Sequence, residues 1–244
     1  MRRLTLIPIL AALAATPLPA AAAEPTAEEL LAFYDKVMGP GTFDSIAAMT
    51  AYREDGTSRT YEMRFLKGEG DRFRVYFQGP SSVKGQEILR LGDNLWVYLP
   101  NLKRATRIAN RDSFQGGDFN NADVLRVNYT ADYTAKLVPS DVPETYAIEL
   151  KAKGKETAYD AVKLWLRKSD RMPVKGQFFG TSGQMLRSAV FSEFTEFDKG
   201  YSRTAKIVMQ NELVTARRSE LVTKSMKVGV ELPAQRFTQA DLGR

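Results

Sequence analysis

The chain has 244 residues, 43% of them hydrophobic, and a formal charge of +6 from 35 Lys and Arg against 29 Asp and Glu. That much apolar material supports one sizeable core and excludes a disordered chain. There is no histidine and no cysteine, so the commonest general base, the usual zinc ligands, a thiolate nucleophile and any disulfide framework are all missing.

Residues 1–23 read as a secretory signal peptide. Met1, Arg2 and Arg3 form a basic start, Leu4 to Ala15 an apolar core, and Ala20-Ala21-Ala22-Ala23 a small-residue cleavage site before Glu24. The apolar run is too short to span a bilayer with certainty. No cysteine follows it, so no lipid anchor is expected, and the mature chain, one domain over 24–244, is expected in a periplasm. Arg2 and Arg3 carry two of the net charges. The mild positive balance that remains suits ordinary solubility as well as contact with anionic headgroups. Export leaves no nucleic-acid partner.

The first mature element is a helix over 26–38. Thr26-Ala27-Glu28-Glu29 has the capping-box pattern, and Leu30, Phe33, Tyr34, Val37 and Met38 fall on one face. Gly39-Pro40-Gly41 stops it. The period then switches to two. Tyr61, Met63 and Phe65 alternate with polar neighbours in 59–67, and Phe73, Val75 and Phe77 do so in 72–78. The same holds for Ile148 and Leu150 in 146–152, for Val162, Leu164 and Leu166 in 162–167, and for Ala205, Ile207 and Met209 in 204–211. Each is a strand with one apolar and one wet face. Turn signals such as Asp55-Gly56, Gly92-Asp93-Asn94 and Asp198-Lys199-Gly200 separate them, so neighbours should pair antiparallel in a meander. A short capped helix is expected over 120–126, with Asn120 or Asn121 as its cap, and another near Gln239 after Pro233. Asp118 and Asp123 are explained better by turn and cap chemistry than as an acid pair or a calcium site, and no metal or cofactor is expected.

A long meander with one apolar face and only a few short helices to cover it is a mainly β fold. It is expected to form a strongly curved antiparallel sheet, an open half-barrel with helices over its concave side. Such a face is either a packed core or a hydrophobic groove under a movable lid. As a groove, its lining would be Tyr61, Met63, Phe65, Phe73, Val75, Phe77, Ile148, Leu150, Val162, Leu164, Leu166, Ile207 and Met209. The lid would carry Leu30, Phe33, Tyr34 and Val37. This helix follows only a couple of mature residues, so little tertiary connection is expected to hold it down.

Residues 80–123 contain Pro80, Lys84-Gly85, Ile88-Leu89, Leu95-Trp96-Val97-Tyr98-Leu99-Pro100, Arg104, Arg107-Ile108, Ser113-Phe114-Gln115-Gly116-Gly117-Asp118-Phe119 and Asp123. Together with the closing Leu232-Pro233 and Phe237-Thr238, they resemble the outer-membrane lipoprotein-sorting family, the LolA/LolB-like periplasmic lipid carriers. The resemblance implies a half-barrel plugged by helices. It also implies carriage of lipoprotein acyl chains or another lipid across the periplasm, with an inner-membrane transporter and an outer-membrane acceptor as partners. Position 117 is Gly where the family pattern leads one to expect Ser, and no lid-latching arginine is carried over to a numbered position. Read bottom-up, Trp96 and Tyr98 share one strand face and Leu95, Val97 and Leu99 the other. Both faces are apolar, as expected where helices cover one and the groove lies on the other.

An enzyme is not expected. The carboxylates mostly occupy the solvated positions of alternating strands, and Ser81-Ser82-Val83-Lys84 is a chance-length match. The expected function is therefore a monomeric carrier for lipoprotein or lipid cargo. The alternative is an envelope sensor or an accessory module of a membrane lipid transporter, acting by protein–protein contact. Sensors of that type usually carry a further domain, and none is expected after the sheet here.

Overall fold

The computed structural model describes residues 24–244 apart from positions 127 and 156. The signal-peptide reading of 1–23 lies outside the described residues. Helix α1 (Ala27–Met38) begins on the expected capping box: Thr26 Oγ1 accepts from the Glu29 amide at 3.2 Å, and the Glu29 carboxylate accepts from the Thr26 amide at 2.9 Å. Six strands follow: β1 (Phe43–Tyr52), β2 (Ser58–Gly68), β3 (Arg72–Gly79), β4 (Glu87–Leu91), β5 (Asn94–Leu99) and β6 (Arg104–Ile108). A crossover over 109–132 contains a 3-10 turn at Phe114–Gly116 and the short helices α2 (Asn121–Leu125) and α3 (Tyr129–Asp132). Then come β7 (Tyr133–Val138), β8 (Thr145–Ala152), β9 (Ala161–Arg167), β10 (Pro173–Phe179), β11 (Met185–Asp198), β12 (Tyr201–Asn211) and β13 (Arg218–Val228), and a tail with two 3-10 turns.

All thirteen strands form one antiparallel sheet in the order β6-β5-β4-β3-β2-β1-β13-β12-β11-β10-β9-β8-β7. Two meanders are joined by one non-sequential pairing, β1 with β13, which puts Met49 opposite Leu221. The outer strands β6 and β7 do not meet, so the sheet is an open half-barrel rather than a closed barrel. Because β6 and β7 lie at opposite margins, the crossover between them must traverse the sheet. It does so on the concave side, where Phe114, Phe119, Leu125 and Tyr129 are buried beside α1 in the same cluster as the strand side chains. Asn120 accordingly heads α2, with its amide donating to Asp123 Oδ2 at 2.7 Å.

Strand parity sets which side chains enter this core. The register Phe65–Val75–Ile88–Val97 across β2 to β5, and Ile148–Leu164–Gly176–Ala189–Met209 across β8 to β12, each form a row on one face. Side chains of the opposite parity face outward, and here the sequence reading needs correction. The outer face of β2 to β5 is not left to water. The tail folds over it, and Phe237 and Leu242 bury against Leu66 and Leu89, with Trp96 and Tyr98 packed alongside. So the two-faced apolar strand β5 is covered by the helical crossover side on one face and by the chain's own tail on the other. Arg74, at a position that alternation assigns to solvent, is fully buried under this tail. Its guanidinium pairs with Glu87 and Asp241 and donates to the carbonyls of Arg236 (2.6 Å) and Asp241 (2.7 Å).

Candidate functional site

The concave interior gathers every expected lining residue. Tyr61, Met63, Phe65, Phe73, Val75, Phe77, Ile148, Leu150, Val162, Leu164, Leu166, Ile207 and Met209 are all buried in one cluster. Leu30, Tyr34 and Val37 of α1 belong to the same cluster, with Phe33 half-buried at its margin. Leu31 completes the buried stripe of the helix, and Ala205 is buried outside the cluster. Aromatic edges organise the packing: Phe77 stacks near Phe114 at 6.0 Å, and Tyr34 meets Tyr129 at 5.3 Å and Phe191 at 6.4 Å. A small void of about 60 Å³ lies between the end of α1, α2 and the sheet, and Phe43, Phe65, Phe73, Ile207, Asp123 and Arg203 stand in its wall. α1 and the crossover pack against the concave face of the sheet.

Polar ties hold that cover in place, and most have no sequence signal. Asp35 of α1 accepts from the amides of Tyr129 and Thr130, both at 2.8 Å, so it caps α3. Tyr201 of β12 donates to the Val37 carbonyl at 2.5 Å, and Arg203 donates to the Met38 carbonyl at 3.0 Å. These bonds correct the expectation that little holds α1 down, since its last two turns are tied to the crossover and to β12. Asp123 accepts from the Tyr159 hydroxyl at 2.8 Å, and burial pushes its carboxyl up to about 6. Burial likewise raises the carboxyls of Asp35 and Asp132 and the hydroxyls of Tyr34, Tyr129, Tyr133 and Tyr159. Neutral forms are favoured because the surroundings are poorly solvated.

The glycine turn 116–117 has a steric reason. Asp118 donates its amide to Ser219 Oγ at 2.9 Å and accepts from Asn211 Nδ2 at 2.9 Å, which seats the turn on β12 and β13. A Cβ at Gly117 would come within 3.0 Å of Ser219 Oγ and 3.3 Å of Met49 Cε, so no side chain enters there without displacing one of them. Turn and cap chemistry is thus what Asp118 and Asp123 do. Among the described residues no group of three or more Asp and Glu is placed to hold a metal, and no helix is long and apolar enough to cross a membrane.

A family model described as "Uncharacterized protein" matches residues 69–244. A LolA superfamily protein from Nitrosomonas europaea is 27% identical, with a TM-score of 0.80 over 88% of this chain and 98% of that one. The chain belongs to the LolA-like family. Two further structures share the LolA-like fold. One is an outer membrane lipoprotein-sorting protein domain from Vibrio parahaemolyticus, 23% identical with a TM-score of 0.77 over 88% of this chain and 97% of that one. The other is a DUF1329 family protein from Desulfovibrio piger, 22% identical with a TM-score of 0.79 over the same shares. No curated protein matches the sequence.

Proposed function

We propose that this LolA-like protein is a periplasmic carrier. It shields the acyl chains of a lipoprotein, or another lipid, on the way to the outer membrane, and exchanges cargo with an inner-membrane transporter and an outer-membrane acceptor. The observation that carries the reading is the nature of the cover. An apolar face of thirteen strands is closed not by a second sheet but by α1 and the crossover, pieces that attach through a few hydrogen bonds and side-chain packing.

Burial of an acyl chain contributes about 0.8 kcal/mol per CH₂, so one long chain gives roughly 10 kcal/mol gross. Release requires that most of this be offset, and the cover does that by re-packing Leu30, Tyr34, Val37 and Phe114 into the emptied groove. Gly39-Pro40-Gly41 provides the hinge on which α1 shifts when cargo enters. Native mass spectrometry of the protein taken from a bacterial periplasm is expected to show bound lipid, and delipidated protein is expected to take up a fluorescent lipid. An engineered disulfide between α1 and the strand beneath it should abolish loading until reduced. A clean unliganded mass together with no uptake overturns the carrier reading, and loading at the normal rate by locked protein overturns the moving helix.

A further inference from the structure

Arg90 lies on β4 and is fully buried, register partner of Phe73 on β3 and of Leu95 on β5. Its side chain makes one hydrogen bond, from Nη1 to Asn110 Oδ1 at 2.9 Å, while Nε and Nη2 are buried without a partner. The nearest paired carboxylate, Asp93, stands 3.9 Å from Nη2 and is held by Arg126, which also binds Asp132. Arg126 in turn keeps a buried Nε without a partner.

The other fully enclosed guanidiniums differ. Arg74 has two carboxylates and two carbonyls, and Arg203 has the carbonyls of Met38 and Thr204. A buried cation with most of its donors unused is among the most costly arrangements a fold can keep. A second guanidinium beside it raises that cost: burial first, then Arg126, draws Arg90 down to about 10 against the opposing pull of Asp71, Asp93 and Asp132, so it remains a cation at neutral pH. The Nε–Nη2 edge of Arg90, with the free Nε of Arg126 beside it, offers donors that match the oxygens of a phosphate or carboxylate.

The location matches as well. Asp93 is 64% exposed, so this corner is close to the rim of the sheet. Phe73, beside Arg90, lines the void in the concave core. An anionic group held at Arg90 would leave its attached chain running past Phe73 into the space beneath α1.

We propose that Arg90 and Arg126 form a headgroup subsite of the groove, and that the cargo is an anionic lipid carrying a phosphate or carboxylate next to its acyl chains. This rests on the carrier reading and narrows it. The test compares phosphatidylglycerol with diacylglycerol bearing the same chains, each titrated into delipidated protein, with inorganic phosphate as a third ligand. Phosphatidylglycerol is expected to bind about tenfold or more tightly than diacylglycerol, the range of a charge-assisted buried hydrogen bond. In Arg90→Met that ratio should collapse towards one, and Arg90→Gln serves if the first variant does not fold.

Equal affinities in the wild type, or an undiminished ratio in both variants, overturn the subsite. Inorganic phosphate that raises Tm as much as phosphatidylglycerol does would make free phosphate the ligand and overturn the lipid assignment. If neither lipid binds, it is the carrier reading that fails. A phosphate-dependent rise in Tm, lost in Arg90→Met, would then still support an anion site, and its absence would overturn that too.

Discussion

Asp35 on α1 caps α3, which lies 94 residues further along the chain, through two 2.8 Å bonds to the amides of Tyr129 and Thr130. The first helix and the crossover are therefore one cover rather than two independent flaps. A displacement of either strips hydrogen bonds from the other.

Asp35→Ala should remove this cap at about 1 kcal/mol, the usual worth of a helix-capping side chain. Hydrogen exchange at Tyr129 and Thr130 is expected to quicken about fivefold, and the amides of α1 should follow them. Faster exchange in the crossover with no change in α1 would show that the two pieces open separately.

Asp123 predicts a particular pH response. Its carboxyl stands at about 6 in the fold against an ordinary 3.8, chiefly through burial. The folded state therefore holds the proton more tightly than the unfolded chain does. Stability from this group grows as pH falls through 6 and is complete below about 4, and at pH 7 the ionised form costs on the order of 3 kcal/mol. Asp123→Asn keeps an acceptor for Asn120 and Tyr159 without the charge. It should be more stable than wild type in urea at pH 7.5, with the gap shrinking to about a third by pH 4.5. A gap that does not change with pH would contradict the assignment.

Phe77 and Leu164 test how firmly the concave interior is packed. Both are buried on opposite halves of the sheet, and Phe77 lies between Tyr61 and Phe114. Truncation to Ala should cost ~3–5 kcal/mol at Phe77 and ~2–5 kcal/mol at Leu164, read from denaturant midpoints of lipid-free protein. A loss under about 1 kcal/mol at either position would mean that the cover packs loosely there.

Arg74→Ala leaves Glu87 buried without its cation and frees the tail. A cost of about 3–5 kcal/mol is expected, since breaking one side of a buried ion pair strands the other. Limited proteolysis should cut first after Arg236 or within 238–244. Full resistance there would mean that Phe237 and Leu242 hold the tail without the arginine.

The parts of the fold that follow from local pattern were legible in the sequence. Thr26 and Glu29 announce α1, Asn120 announces α2, and the alternation around Met63, Phe73 and Leu164 identifies β2, β3 and β9 with their buried faces. β11 is not legible in that way, because Val190 and Phe194 are exposed apolar residues on a strand whose wet face should be polar. The pairing of β1 with β13 joins residues such as Tyr52 and Arg218, far apart in sequence, and no turn specifies it. Arg74 looks like a solvated strand position and is buried only because the tail arrives from elsewhere, which period-two reasoning cannot see. Arg90 shares the inward parity of Ile88, and nothing local shows how a cation is accommodated on that face. The side chains buried on the concave face could be named from the sequence, whereas the polar ties over them could not.

The separation of β6 from β7 leaves two strand margins with unpaired backbone donors and acceptors, which in a sheet this long is a standing invitation to edge-on polymerisation. Both margins carry cations: Arg104 and Arg107 are exposed on β6, and Lys136 is exposed on β7. An incoming strand from a second copy would have to bury those charges against like charges. The open sheet is thus guarded, at each of its ends, against growth into a fibre.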